Sequence, residues 1–200
     1  MVELTRVHPL EQMGFDLAAR NNQAVSITAE PCVAMVDVRL PTGLLRTSLL
    51  DAEIPTTPNT WVAAGGRRTI WLGPDEWLLT STDDAPEELE QEVRGAVLQL
   101  GGAAIDVSAQ RIGLRLSGSR AREVLAKGCS IDLHPRVFVS GSAVQTTVGL
   151  AGVILLALSD AGDDFLLLVR SSFARYLADW LLDAAEEFTD PATLIIGSQE

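Results

Sequence analysis

Residues Ala104–Gly118 read AIDVSAQRIGLRLSG. Two strand patterns meet in this stretch. Ala103–Val107 is a short apolar run interrupted by one acid, Asp106. From Ile112 the chain alternates: Ile112, Leu114 and Leu116 are interleaved with Gly113, Arg115 and Ser117. Successive side chains of an extended chain point to opposite faces, so the alternation predicts a strand with one buried face. Gly118-Ser119 then opens a short helix carrying Ala121, Val124 and Leu125, stopped by Gly128.

Upstream, Asp83-Asp84-Ala85-Pro86 has the features of a helix start. An aspartate can cap, Pro86 fits the first turn, and Glu87, Glu88, Glu90 and Glu92 suit the positive end of the helix dipole. Leu89, Val93, Ala96, Val97 and Leu100 share one face, and Gly101-Gly102 ends the helix. Thr69–Leu72 and Glu76–Ser81 flank Gly73-Pro74-Asp75 and are expected to form a hairpin. Cys32–Leu40 is a further strand with one wet face, and residues 41–60, with Pro41, Pro55 and Pro58, form a long connection.

Downstream, His134-Pro135 and Gly141 mark a loop. Ala143–Val148, Gly152–Leu158 and Phe165–Val169 are expected strands, and the second, the most continuously apolar, is placed centrally. Ser172 is the expected cap of a last helix whose face is Phe173, Tyr176, Leu177, Trp180, Leu181 and Ala184. Strands outnumber helices, and each half has one main helix after a group of strands. The fold class is therefore α+β, with mainly antiparallel sheets and helices packed on them. The expected division is an N-terminal arm, 1–30, a single domain, 31–188, of two halves (31–108 and 109–188), and a C-terminal tail, 189–200.

The chain has 200 residues, a hydrophobic share of 47% and a net charge of −12, so it can bury a core but has no basic surface for nucleic acid or anionic lipid. Two cysteines, Cys32 and Cys129, do not make a disulfide framework. The longest apolar run, Val148–Leu158, has eleven residues, short of the roughly 20 a membrane helix needs. No signal-peptide pattern opens the chain, and a reduced, cytoplasmic protein is expected.

The common catalytic signatures are missing. There is no GxxxxGK[ST], strand-linked GxGxxG or GxSxG. Gly65-Gly66-Arg67-Arg68 is either an anion loop or a tight turn with solvated arginines, and the turn is favoured. Cys129, Asp132 and His134 lie close in sequence, but catalytic Cys–His pairs usually come from distant segments. A buried Cys129 and a loop-capping His134 are the expected reading. Asp106 either carries chemistry or accepts backbone N–H groups to fix its turn, the latter being favoured. Trp71 and Trp77, at the hairpin tip, are either satellite core or partner-facing anchors. Arg111, Arg115, Arg120, Arg122 and Arg170 are candidates for interfacial contacts to carboxylates, since arginine forms bidentate pairs, against the plain alternative of solvated arginines. No catalytic, cofactor-binding or metal-ligating residue is assigned. The interface candidates are Trp71, Trp77 and Arg111.

Three stretches together, Trp71–Leu79 (WLGPDEWLL), Ala104–Phe138 and Phe165–Ala185, resemble the gamma subunit of heterotetrameric sarcosine oxidase. The resemblance runs from about residue 30 to 185. Asp106-Val107-Ser108 followed by Leu114–Gly118 and a helix is similar to a signature of the folate-binding fold of the glycine-cleavage T-protein, an aminomethyltransferase. The resemblance implies a non-catalytic structural subunit beside alpha, beta and delta subunits. That complex converts sarcosine to glycine, releases hydrogen peroxide, and passes the one-carbon unit to tetrahydrofolate or releases formaldehyde. It implies FAD, FMN, NAD and tetrahydrofolate in the two large subunits and zinc in the smallest, with no cofactor in this chain. The alternative is a free-standing folate-binding protein of the aminomethyltransferase type, with Asp106 as the residue to watch.

Overall fold

The computed structural model describes residues 7–13, 17–18, 20–42, 48–49 and 52–188, with backbone only at 48–49 and 52–53. The expected tail, 189–200, lies outside the described residues, as does part of the expected arm. The strands are β1 (Ser26–Ala29), β2 (Ala34–Arg39), β3 (Ser48–Leu49), β4 (Ala52–Glu53), β5 (Trp61–Ala64), β6 (Arg67–Gly73), β7 (Glu76–Ser81), β8 (Ala103–Asp106), β9 (Arg111–Ser117), β10 (Ala143–Val148), β11 (Ala151–Ala157) and β12 (Asp164–Arg170). The α-helices are α1 (Pro86–Leu98), α2 (Ala121–Ala126) and α3 (Ala174–Ala185).

Among the described residues, the strands form two five-stranded sheets, ordered β5-β6-β7-β2-β8 and β1-β9-β12-β11-β10, and a β3-β4 ribbon. All the pairings are antiparallel. Alternation along the strands splits the core into three. Val36, Val38, Trp77, Leu79 and Ala104 pack on Leu89, Val93 and Val97 of α1. Ile112, Leu114, Leu116, Phe165, Leu167 and Val169 pack on α2 and α3. Met35, Ile70, Leu72 and Leu78 of the first sheet meet Ile154, Leu156, Leu166 and Leu168 of the second. The layers therefore run helix, sheet, sheet, helix.

This layering explains the continuous runs. β11 from Val153 and β12 from Phe165 to Val169 are buried on both faces, so neither shows the alternation of a one-faced strand. β12, not β11, occupies the centre of its sheet, and β11 lies between it and the edge strand β10. Each fully buried Leu or Val, such as Leu89 or Val93, contributes about 1.5–3 kcal/mol.

Both expected helix caps differ. Ala85 occupies the cap position of α1 and makes no side-chain bond there. The Asp84 carboxylate instead accepts from Arg67 Nε at 2.9 Å and from the Ser81 hydroxyl at 2.6 Å. A charge-assisted bond to a guanidinium outcompetes a neutral cap. Ser172 lies inside a 3₁₀ turn, Ser171–Phe173, and α3 starts only at Ala174. Phe173 therefore precedes the helix, and the face counted from it rotates. Phe173 is 44% exposed and Tyr176 37%, while Ala174, Leu177, Ala178, Leu181 and Leu182 are buried.

The expected irregular lead-in is ordered where it meets the body. Ser26–Ala29 pairs with β9, Ser26 standing opposite Ser117. Leu10, Met13 and Leu17 join the core under α2 and α3. His8 fixes this segment: Nε2 donates to Glu30 O at 3.1 Å, and Nδ1 accepts from Leu10 N at 3.1 Å. The strand Trp61–Ala64, also unexpected, pairs with β6 through the Gly65-Gly66 turn, where Gly65 has φ +59°.

Candidate functional site

The turn between β8 and β9 is closed by its own side chains. Asp106 Oδ1 accepts from the Ser108 backbone N at 2.9 Å and from the Ser108 hydroxyl at 2.5 Å. Ser108 is buried, and its Oγ accepts from Met35 N at 2.8 Å. Val107 N donates to Met35 O at 2.8 Å. Asp106 thus holds the turn to β2, the turn-fixing role expected of it.

The Gly65–Arg68 segment is a tight turn, but its arginines are not simply solvated. Arg67 pairs with Asp84 at 2.9 Å and Glu92 at 2.6 Å. Arg67 and then Ser81 hold the Asp84 carboxyl below its usual range, while the bonds to Asp84 and then Glu92 raise Arg67. The Arg68 guanidinium lies over the Trp61 ring, 5.7 Å from its centroid. An anion arriving at this loop would compete with two carboxylates for Arg67.

Cys129, Asp132 and His134 are not brought together as a catalytic group. His134 Nδ1 accepts from Arg136 N at 3.2 Å, and Asp132 Oδ1 accepts from His134 N at 2.8 Å. Cys129 packs against the core of the second half, and its backbone bridges to Val148. Among the described residues, no group of three or more His, Cys, Asp and Glu is placed to hold a metal ion.

The three interface candidates separate. Trp77 stands opposite Trp71 across the hairpin. It is only 8% exposed, and its indole N–H donates to Pro55 O at 2.9 Å. The alternation of β7 turns Trp77 and Leu79 toward α1, so Trp77 is an element of this chain's own core rather than a free anchor. Trp71 is half-buried against the same cluster.

Arg111 differs. It stands opposite Arg170 in the β9–β12 register. Ile112 and Val169 face the helices, so the two arginines face the space between the sheets. Both line an open cleft of about 390 Å³ with Gln145, Thr146, Thr147 and Gly152. Burial, and then Arg170, push the Arg111 guanidinium below its usual value. From the other sheet, Asp37 and Glu76 act on Arg111 electrostatically. Both are engaged by Arg39, at 3.8 and 2.8 Å, and Arg39 also reaches Asp75 at 3.5 Å. Burial, and then the neighbouring Asp37, raise the Glu76 carboxyl. Residue types alone did not reveal this network, because strand register brings its members together.

The family model described as "Sarcosine oxidase, gamma subunit family" matches residues 45–187. The chain is 40% identical over 123 residues to a sarcosine oxidase subunit gamma from Corynebacterium sp. (strain P-1), covering 62% of this chain and 59% of that protein. It is 39% identical over 129 residues to the one from Arthrobacter sp., covering 64% and 62%. The chain thus spans about three-fifths of the length of these curated relatives. Among solved structures, it is similar to a chain of the heterotetrameric sarcosine oxidase from Corynebacterium sp. U-96 in complex with pyrrole 2-carboxylate. There the TM-score is 0.79 at 27% identity, over 92% of this chain and 97% of that one. The glycine cleavage system aminomethyltransferase T from Bartonella henselae shares the fold, with a TM-score of 0.61 at 13% identity over 84% of this chain and 48% of that one. At that identity, the likeness is one of fold and does not favour the free-standing folate-binding alternative. Because the family model matches well over half of its length, the chain belongs to the sarcosine oxidase gamma subunit family.

Proposed function

We propose that the chain is the non-catalytic gamma subunit of a heterotetrameric sarcosine oxidase, assembled with alpha, beta and delta subunits in the cytoplasm. The similarity to a chain of such an enzyme, over nearly the full length of both chains, carries this reading. In it, the partner subunits hold FAD, FMN, NAD, tetrahydrofolate and zinc. They demethylate sarcosine to glycine with release of hydrogen peroxide, and pass the one-carbon unit to tetrahydrofolate or release formaldehyde.

This chain's contribution is a rigid layered body. The polar groups singled out from the sequence are largely spent on holding it together, as with Asp106 on Ser108 and Arg67 on Asp84 and Glu92. Its surface also carries large apolar side chains suited to a partner. Leu150 is 81% exposed beside Phe173 and Tyr176, with the Tyr176 hydroxyl accepting from Leu150 N at 3.0 Å. Trp71 and Arg111 are the interface residues this reading retains.

Expressing the alpha, beta and delta subunits with and without this chain tests the proposal. Loss of the assembled complex, with reduced flavin content and sarcosine-dependent peroxide release when the chain is omitted, is expected. Unchanged assembly, flavin content and turnover would overturn it.

A further inference from the structure

The five arginines that the sequence offers as carboxylate ligands are not equivalent in the fold. Arg115 is bidentate to Asp164, at 2.8 and 2.6 Å. Arg120 pairs with Glu123 at 2.5 Å, and Arg122 donates to Ala161 O at 2.8 Å. The guanidinium groups of Arg111 and Arg170 make no hydrogen bond or ion pair with any described residue. They are also the two that strand register places directly opposite each other.

Like charges facing each other across an antiparallel pair destabilise a sheet. The fold could have relieved this repulsion with a nearby acid. Asp37 and Glu76 are close enough to act on Arg111, yet they turn to Arg39 instead. Two forked cations are thus left on one wall of an open cleft, with Gln145, Thr146 and Thr147 beside them. Gln145 is anchored there by its amide, which donates to Leu72 O at 3.0 Å. Gly152 leaves the floor of the cleft without a side chain, and a Cβ there would meet nothing within 4 Å.

We propose that Arg111 and Arg170 form a carboxylate-binding cleft on the face of the second sheet that turns toward the first, filled by an acid that another molecule supplies. A guanidinium presents two parallel N–H groups to a carboxylate, and an anion between two guanidinium groups also cancels their mutual repulsion. The acid is either an Asp or Glu side chain of a partner subunit or a free small carboxylic acid. The first source rests on the subunit reading above, whereas the second does not.

The test uses the full chain as wild type, R111Q/R170Q and R111K/R170K, with sodium glutarate as the small-acid probe. Thermal melting and the arginine Nε–Hε NMR signals report glutarate binding. Titration against the alpha, beta and delta subunits at low and high salt reports assembly. A protein source predicts that R111Q/R170Q weakens assembly about tenfold or more and flattens its salt dependence, with the lysine pair intermediate. A small-acid source predicts unchanged assembly, but glutarate-dependent signals in the wild type that vanish in R111Q/R170Q. In both cases, the glutamine variant without ligand melts no lower than the wild type, because a repulsion has been removed. Unchanged assembly together with no glutarate response, or an equal response in wild type and variant, overturns the cleft. If no chain assembles at all, the subunit reading fails, and the glutarate titration decides the cleft alone. Should the glutamine pair fail to fold, the lysine pair decides: a glutarate response or an assembly strength below that of the wild type upholds the cleft, and no difference from the wild type in either overturns it.

Discussion

The Asp106 carboxylate accepts both the backbone N–H and the hydroxyl of Ser108, at 2.9 and 2.5 Å, and the same hydroxyl accepts from Met35 on the neighbouring strand. One acid thereby orders the turn joining the two sheets and ties it to β2. Asp106→Ala removes the acceptor of the Ser108 N–H and shifts the hydroxyl to the longer bond with Met35 O, at 3.3 Å, for a cost of about 1–3 kcal/mol. Asp106→Asn keeps an acceptor oxygen and loses less. Urea unfolding midpoints of the two variants would show this order. Equal midpoints would remove the turn role.

Asp84 makes stability depend on acid. Arg67 and Ser81 lower its folded carboxyl below the ordinary value of 3.8, so the ionised form is favoured on folding. The stabilisation is present above 3.8 and lost as pH falls through the lower folded value. Asp84→Asn should therefore melt below the wild type at neutral pH, and the gap should close in strong acid. Melting curves across that range would reveal the convergence.

Glu76 has the opposite sign. Burial and Asp37 raise its carboxyl above the ordinary 4.5, so folding favours its protonated form. That contribution is present below 4.5 and lost as pH rises through the folded value. Glu76→Gln, which keeps an oxygen for Arg39, should match the wild type in acid and exceed it at neutral pH. A lower melting temperature at neutral pH would mean that the Arg39 bond dominates.

Gly128 lies against the Trp180 indole so closely that a Cβ built there would stand 2.3 Å from ring carbon Cζ2. Gly128→Ala forces the ring or the loop to move, at a cost of about 1–3 kcal/mol. The tryptophan emission should shift with it. Adding Trp180→Phe should restore part of the lost stability, since the smaller ring frees the space.

Much of this architecture is legible from periodicity. Ile112, Leu114 and Leu116 announce a one-faced strand, and Leu89, Val93 and Val97 mark the buried face of α1. Caps were less legible, because Asp84 has a competing partner, Arg67, that is distant in sequence. β1 is not legible because Val25 and Ile27 are the only large apolar side chains in a polar stretch, 21–30, too short a pattern to stand out. At the candidate site, the residue types were visible but their relations were not. Nothing local separates Arg111 and Arg170 from Arg115. The difference arises from Asp164, which β12 brings to Arg115 and not to the other two.

Met35, Ile70 and Leu78 on one side, and Ile154, Leu156, Leu166 and Leu168 on the other, form a wall common to both halves. Neither half can come apart without stripping the other of its lining. Denaturation should accordingly be a single cooperative event reported alike by tryptophan fluorescence and circular dichroism. A truncated polypeptide ending near the β8–β9 turn would bare Met35, Ile70 and Leu78 to water, and it should aggregate rather than persist as a folded miniature.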